Sequence, residues 1–302
     1  MTMTRAQFNS LLVVGLRKVF GDEYNSLPKL YPSIYKVETS TRKYEELRAI
    51  SGIGMFEQKN EGEPAIYEDR VEGYNKIFTH VSWAKGMRIT RELRDDDQYN
   101  EMRDLVKYLA RAAQYRLEYE HAKLFNYATA TTYFTGGDGL ALLSASHTLA
   151  ATPGVTFSNY ASSTALSQTA IEKAISAFRR YVNDKNLLIN VMPKKLLIPP
   201  ELEFDAMEIL NSTQKAGTPN NEINAVRGRL EIVTWPFLTD TDSWFVLADP
   251  GDVPGGLTSF MRTPPEFTSD GDFDTDDLKA KGFMRFSLGF LDPRCVYGSD
   301  GA

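Results

Sequence analysis

Residues 95–128, DDDQYNEMRDLVKYLARAAQYRLEYEHAKLFNYA, decide the fold. Asp95–Asp97 supply capping side chains and negative charge where a helix dipole is positive. Met102, Val106, Leu109, Ala113, Leu117 and Leu124 then recur at steps of three or four and their sums, with no Gly or Pro between them. That spacing predicts one helix from Gln98 to Ala128, and at a rise of ~1.5 Å per residue it spans roughly 45 Å. This is long for a helix in a globular core. Arg103, Lys107 and Arg111 form a basic stripe at i, i+4 on another face, which suits solvent or an anionic partner.

Upstream, Ile77, Thr79, Val81, Trp83, Met87 and Ile89 alternate with Phe78, His80, Ser82 and Arg88, which predicts one long strand over 77–89. Residues 57–73 before it are acidic and polar and contain Gly62, Pro64 and Gly73, so they have little to bury. A hairpin projecting from the body follows. Residues 22–50 carry two prolines and no helical stripe, which predicts an extended arm with strand character from Tyr44. At the start, Phe8, Leu11, Leu12, Leu16, Val19 and Phe20 mark an amphipathic helix, opened by Thr4-x-x-Gln7 and ended by Gly21.

Downstream, SQTAIEKAISAFRRYV (167–182) predicts a second helix with Ala170, Ile171, Ala174, Ile175 and Phe178 inward. Mixed material follows: a strand and a short helix in VMPKKLLIPPELEFDAMEILNS, then strands RLEIVTWPFL and SWFVLAD expected to pair across the TDTD turn. The chain closes with strands GGLTSFMRT and KAKGFMRFSLGFLDPRCVYG on either side of the acidic loop SDGDFDTDD. The fold class is α+β.

The 302 residues, 42% hydrophobic and 25% charged, fit a folded soluble chain rather than a disordered or membrane one. A net charge of −6 argues against a dedicated nucleic-acid binder. Cys295 stands alone, which excludes an intrachain disulfide and a cysteine zinc site; a packed small side chain is its expected role. No apolar run of some 18 residues predicts a spanning helix, and the N-terminus lacks the layout of a signal peptide.

Residues 137–150, GDGLALLSASHTLA, gather Asp138, Ser144, Ser146 and His147 and invite comparison with a hydrolase site. There is no G-x-S-x-G elbow, and on an extended backbone the neighbours Ser146 and His147 diverge. His80 and His121 fall in a strand and a helix. A loop with a hydrogen-bonded histidine is the expected reading, and no catalytic residue is assigned. Asp270-x-Asp272-x-Asp274 opens like a calcium loop, but Thr275 stands where the turn needs Gly and Lys281 where it needs Glu. Neither a nucleotide motif nor a histidine pair with ligand spacing is present, so no cofactor and no metal is expected.

This order of parts resembles the major capsid proteins of tailed phages, with the Hong Kong 97-type fold, and within them the Mu-like major head subunit group. The resemblance implies an N-terminal arm at 1–50, the extended loop at 51–89, and a peripheral domain with its spine helix at 90–192. An axial domain at 193–256 and closing strands of the peripheral domain at 257–302 complete it. GDGLALLSASHTLA resembles the segment ending in Ser-x-His that follows the spine helix in the Mu-like group. The family implies self-assembly as hexamers and pentamers into an icosahedral head around double-stranded DNA, built in the host bacterial cytoplasm. Implied partners are other copies, a scaffolding protein, a portal, a decoration protein and loosely held DNA, with no membrane. The short helix at the start implies a separate scaffold or prior trimming. Some relatives cross-link through a lysine of the extended loop; Lys59 and Lys76 lie in that region, and neither is marked as reactive.

Two sets of contacts are expected. Glu57, Glu61, Glu63, Glu68, Asp69 and Glu72 of the hairpin should meet a neighbouring subunit, and Arg103, Lys107 and Arg111 should face the genome. The competing functions are an encapsulin-like nanocompartment shell and a hydrolase using Ser146 and His147.

Overall fold

The structure, a computed structural model, describes residues 5–65, 67–70, 72–92, 96, 101–152, 154–214, 223–271 and 277–301, with side chains from residue 14 onward. The expected caps at Thr4 and Asp95–Asp97, the stripe residues Phe8, Leu11 and Leu12, and Asp272, Asp274 and Thr275 lie wholly or largely outside that description.

Helix α1 (Arg5–Ser26) passes through Gly21 instead of ending there. Its continuation is held from outside: Phe20 packs on Phe267 with ring centroids 5.7 Å apart, and Glu23 accepts a hydrogen bond from the Arg111 guanidinium at 2.7 Å. The arm is not wholly extended either, because α2 (Tyr31–Ile34) forms one turn with Pro32 at its start. Strands β1 (Lys36–Thr39), β2 (Tyr44–Ile50), β3 (Glu72–Thr79) and β4 (Val81–Ile89) follow, then the long helix α3 (Glu101–Asn126). Its 26 residues span about 39 Å at the usual rise.

The expected strand over 77–89 is broken at His80. β3 pairs with β2 in a separate two-stranded ribbon, whereas β4 pairs with β11 (Leu278–Gly289). Alternation survives the break, which is why it is invisible in the pattern. Phe78 and His80 are buried, while Ile77 and Val81 are half exposed. The projecting hairpin therefore runs from Tyr44 to Thr79, and 81–89 belong to the body.

That body is a four-stranded sheet in the order β1-β10-β11-β4, with β10 at Thr258–Gly271. β1 lies parallel to β10 and the other pairs are antiparallel. α3 crosses one face, with the Leu109 side chain packed over Gly282. Leu16 and Phe20 of α1 join Met102, Val106, Leu109 and Ala110 of α3 and Phe267, Leu278 and Ala280 of the sheet in one buried cluster.

The second half of the chain contributes β5 (His147–Thr148), β6 (Thr156–Phe157) and α4 (Gln168–Phe178), whose cap Ser167 accepts from Ala170 N. Then come β7 (Pro193–Ile198), α5 (Glu203–Asn211), β8 (Glu231–Thr234), β9 (Trp244–Ala248) and β12 (Val296–Ser299). A second sheet has the order β12-β9-β7-β8. The expected pairing of β8 with β9 across TDTD is not made. β7 lies between them, parallel to β8 and antiparallel to β9. The reason is burial: Leu196, Leu197, Ile198 and all of Trp244–Ala248 are covered on both faces, so these two strands take the centre. β12 also departs from expectation, joining this sheet through β9 and not the sheet of β10 and β11. Cys295 packs beside it, and burial pushes its thiol up to about 12.

Candidate assembly surfaces and the Ser–His loop

The loop after α3 is closed upon itself. His147 is fully buried, its Nδ1 2.6 Å from Asp138 Oδ2 and its Nε2 3.1 Å from Asn159 Oδ1. Asn159 Nδ2 donates to the Leu142 and Val296 carbonyls at 2.8 and 3.2 Å, which fixes the other amide atom as the acceptor. His147 Nε2 therefore carries a hydrogen and donates. The same Asn159 oxygen accepts from Ser144 N at 2.9 Å, and Asp138 Oδ1 accepts from Leu140 N at 3.1 Å. The imidazole stacks on Phe157 with centroids 5.2 Å apart. Ser144 Oγ accepts from Ser146 N, and Ser146 is exposed. Both ring nitrogens are spent on Asp138 and Asn159, so the histidine has no nitrogen left to activate a serine. The constellation locks a loop.

His121 plays a similar part inside α3. Its Nδ1 donates to the Leu117 carbonyl at 2.7 Å and its Nε2 accepts from Ser259 Oγ at 2.8 Å. Full burial lowers it to about 4, so the ring is neutral. One turn earlier, Glu118 accepts from Leu30 N (2.9 Å), Gln114 Nε2 (3.1 Å) and Trp235 Nε1 (3.0 Å). The carboxyl thus ties the arm, the spine helix and the second sheet to one point. Burial raises its pKa against those donors.

The hairpin is the opposite case. Between β2 and β3 its described residues form no regular structure, and Ile53, Met55, Phe56 and Tyr67 are 65%, 79%, 101% and 94% exposed. Of the expected contact residues, Glu57, Glu61 and Asp69 are exposed, Glu63 accepts from Asn60, and Glu72 begins β3. Glu68 is engaged within the chain: it accepts from Gly54 N at 2.7 Å and pairs with Lys185, and these partners hold its carboxyl below the usual range. Lys59 is exposed, whereas Lys76 sits at the root and donates to Thr135 Oγ1 at 2.8 Å.

Sequence reasoning missed how that root is held. Ser40, between β1 and β2, meets His80, between β3 and β4. Ser40 Oγ donates to Glu45 at 2.7 Å, so His80 Nε2 donates to Ser40 across 3.0 Å and its Nδ1 accepts from Ser287 Oγ on β11, also at 3.0 Å. Desolvation lowers the His80 pKa, with Arg285 and Arg262 adding to it and Glu45 opposing. The relay joins residues 40, 45, 80 and 287, and no local motif announces it.

The basic stripe is partly neutralised. Lys107 pairs with Asp104 at 2.8 Å and Arg111 with Glu23 at 2.7 Å, while Arg103 is exposed near the start of α3. Beside it, a groove of about 610 Å³ runs between α3 and the β4–β11 pair, lined by Trp83, Leu109, Ala112, Tyr115, Phe283 and Met284 with Lys85, Arg111 and Arg116 among its walls. Arg116 stacks over Trp83 at 3.7 Å. Among the described residues, no three His, Cys, Asp or Glu side chains gather as a metal site, and no helix is long and apolar enough to cross a membrane.

Comparison with known proteins identifies the scaffold. Residues 74–299 match the model of the family described as phage capsid protein. No curated protein matches the chain. Among solved structures, the capsid of cyanophage P-SCSP1u superposes with a TM-score of 0.62 at 12% identity, covering 91% of this chain and 88% of that one. The capsid of an empty GTA particle gives 0.57 at 13% identity, with 92% of each chain covered. A virus-like particle from Pyrococcus furiosus gives 0.54 at 11% identity, covering 95% and 99%. The fold is therefore the Hong Kong 97-like capsid fold, and the chain belongs to the phage capsid protein family: it is a major capsid protein, a non-enzymatic building block of the phage head.

Proposed function

We propose that the chain is a Mu-like major head subunit whose copies form hexamers and pentamers, closing an icosahedral head around double-stranded DNA. The observation that carries this reading is the hairpin: an acidic limb with four large apolar side chains exposed, which finds cover only on another subunit. Glu57, Glu61, Glu63 and Asp69 meet basic groups of the neighbour, with Glu68 and Glu72 shaping the limb from within. The hairpin acts as the extended loop, α3 as the spine of a peripheral domain, and the sheet of β7, β8, β9 and β12 as the core of an axial domain. Arg103 and Lys107 face the genome, and a stripe half-neutralised by Asp104 lets packed DNA slide without gripping it. Arg111, bound to Glu23 and lining the groove, belongs to a contact between subunits. Scaffolding, portal and decoration proteins complete the head during assembly in the host cytoplasm.

Electron microscopy of the overexpressed protein tests the reading. Wild-type chain, alone or with its scaffold, should yield closed shells, and a deletion of residues 57–72 should yield folded, soluble subunits without shells. Normal shells from the deletion would refute the role of the hairpin. Particles that protect DNA from nuclease support a head, whereas particles filled with a protein cargo would favour the nanocompartment reading.

A further inference from the structure

We propose that Lys185 and Glu68 form a latch that aims the hairpin, fixing the direction in which it leaves its own subunit. Both act as positioning residues for assembly. This rests on the shell reading above and concerns how one subunit prepares its limb before it meets another. Three observations meet here.

The first is that the ribbon anchors the hairpin at one place only. β2 and β3 pair no further than Ile50 and Glu72, with an irregular step between Arg48 and Ile50. Beyond that point the described residues form neither strand nor helix. A limb held only at its root pivots there. The nine residues from Ile50 to Lys59 reach up to about 30 Å, so a pivot of about 10° moves the tip by about 5 Å.

The second is an anchor placed past the pivot. Glu68 accepts from Gly54 N at 2.7 Å, which ties the outgoing and returning halves of the hairpin together, and it pairs with Lys185 of the body. The Lys185 side chain is 18% exposed, so its charge meets the carboxylate largely out of solvent. Two separated anchors remove a pivot that one leaves free.

The third is the platform under Lys185. Val182 bridges to Leu188, and Asn183 Oδ1 accepts from Lys185 N and Leu187 N, both at 2.9 Å. Asn186 takes the left-handed conformation that closes the turn, with φ 61°, which asparagine tolerates. Thr152 Oγ1 donates to the Asp184 carbonyl at 2.6 Å, and Arg294 donates to the Val182 carbonyl while pairing with Asp292 and Asp184. The turn is thus held by the body without help from the hairpin. An ion pair near the surface adds little to the stability of a fold. This one orders a limb ahead of docking, so less freedom is lost when subunits meet.

Pulsed electron spin resonance on unassembled subunits reads the latch, with labels at Lys59→Cys on the hairpin and at Lys173→Cys, an exposed position on α4. The native Cys295 is buried and takes no label. The distance distribution should be narrow in the otherwise unaltered chain and at least twice as wide with Lys185→Met. Lys185→Arg keeps the charge and should stay narrow. Equal widths in all three would overturn the latch. Without labels, Lys185→Met should lower the yield of closed shells at least tenfold and Lys185→Arg should restore it, both at an unchanged unfolding midpoint. A wide distribution with undiminished assembly would overturn the positioning role. Should Lys185→Met disturb the turn itself, Glu68→Gln leaves the turn intact and must reproduce the wide distribution; a narrow one would overturn the proposal. Wild-type chain that never assembles would instead sink the shell reading, while the label widths still decide whether the latch exists.

Discussion

The loop at 137–150 and the hairpin at 44–79 are both crowded with polar side chains, and they come to opposite ends. In the loop, Asp138, His147 and Asn159 use their hydrogen-bonding groups on one another and on backbone out of reach of solvent. In the hairpin, carboxylates and large apolar groups stand exposed together. The loop looks like chemistry and is structure, while the hairpin looks like filler and is the limb we propose to carry assembly. What separates them is whether the surface is already satisfied within one chain.

Breaking the loop should cost the fold most. His147→Ala removes the partner of a buried Asp138 carboxyl and orphans the Asn159 oxygen, so it should destabilise the subunit by about 3–5 kcal/mol in denaturant unfolding. A loss under about 1 kcal/mol would mean that the network is not the lock described.

Acid should come next. His121 is lowered in the fold to about 4 from 6.5, so its contribution is complete above pH 6.5 and is lost as pH falls toward 4. The shift corresponds to about 3 kcal/mol, as an order of magnitude. Unfolding midpoints measured between pH 7 and 4 should decline across that window, and His121→Gln should flatten the decline.

The hairpin root should respond least and most locally. Ser287→Ala removes one member of the relay through His80 and should cost about 1 kcal/mol. Hydrogen exchange should quicken in 44–50 and 72–79 while 101–126 stays protected. Uniform loosening of the whole subunit would show that the relay supports the core and not the root of the limb.

These differences track what was legible beforehand. The spine helix was plain because six apolar residues at helical spacing without Gly or Pro leave one periodicity; its last residue moved to Asn126, and the expected start at Gln98 lies outside the described residues. The loop's structural role was legible from the adjacency of Ser146 and His147, though not its partner Asn159, which lies twelve residues on. The break at His80 left no trace, because residues before and after it keep the same alternation while joining different sheets. The strand order around β7 was hidden for a related reason. Alternation and apolarity report how a strand is buried but not which neighbour buries it.

Sequence alone determined the α+β class, the long helix, the acidic projecting hairpin and the absence of a spaced catalytic set, because each follows from composition or from periodicity within one segment. Tertiary structure decided the bend at His80, the insertion of β7 between β8 and β9, the Ser40–His80–Ser287 relay and the groove beside Trp83. Each of these joins residues tens to hundreds of positions apart, and such pairings are chosen by the shared burial of whole elements, which no local pattern encodes.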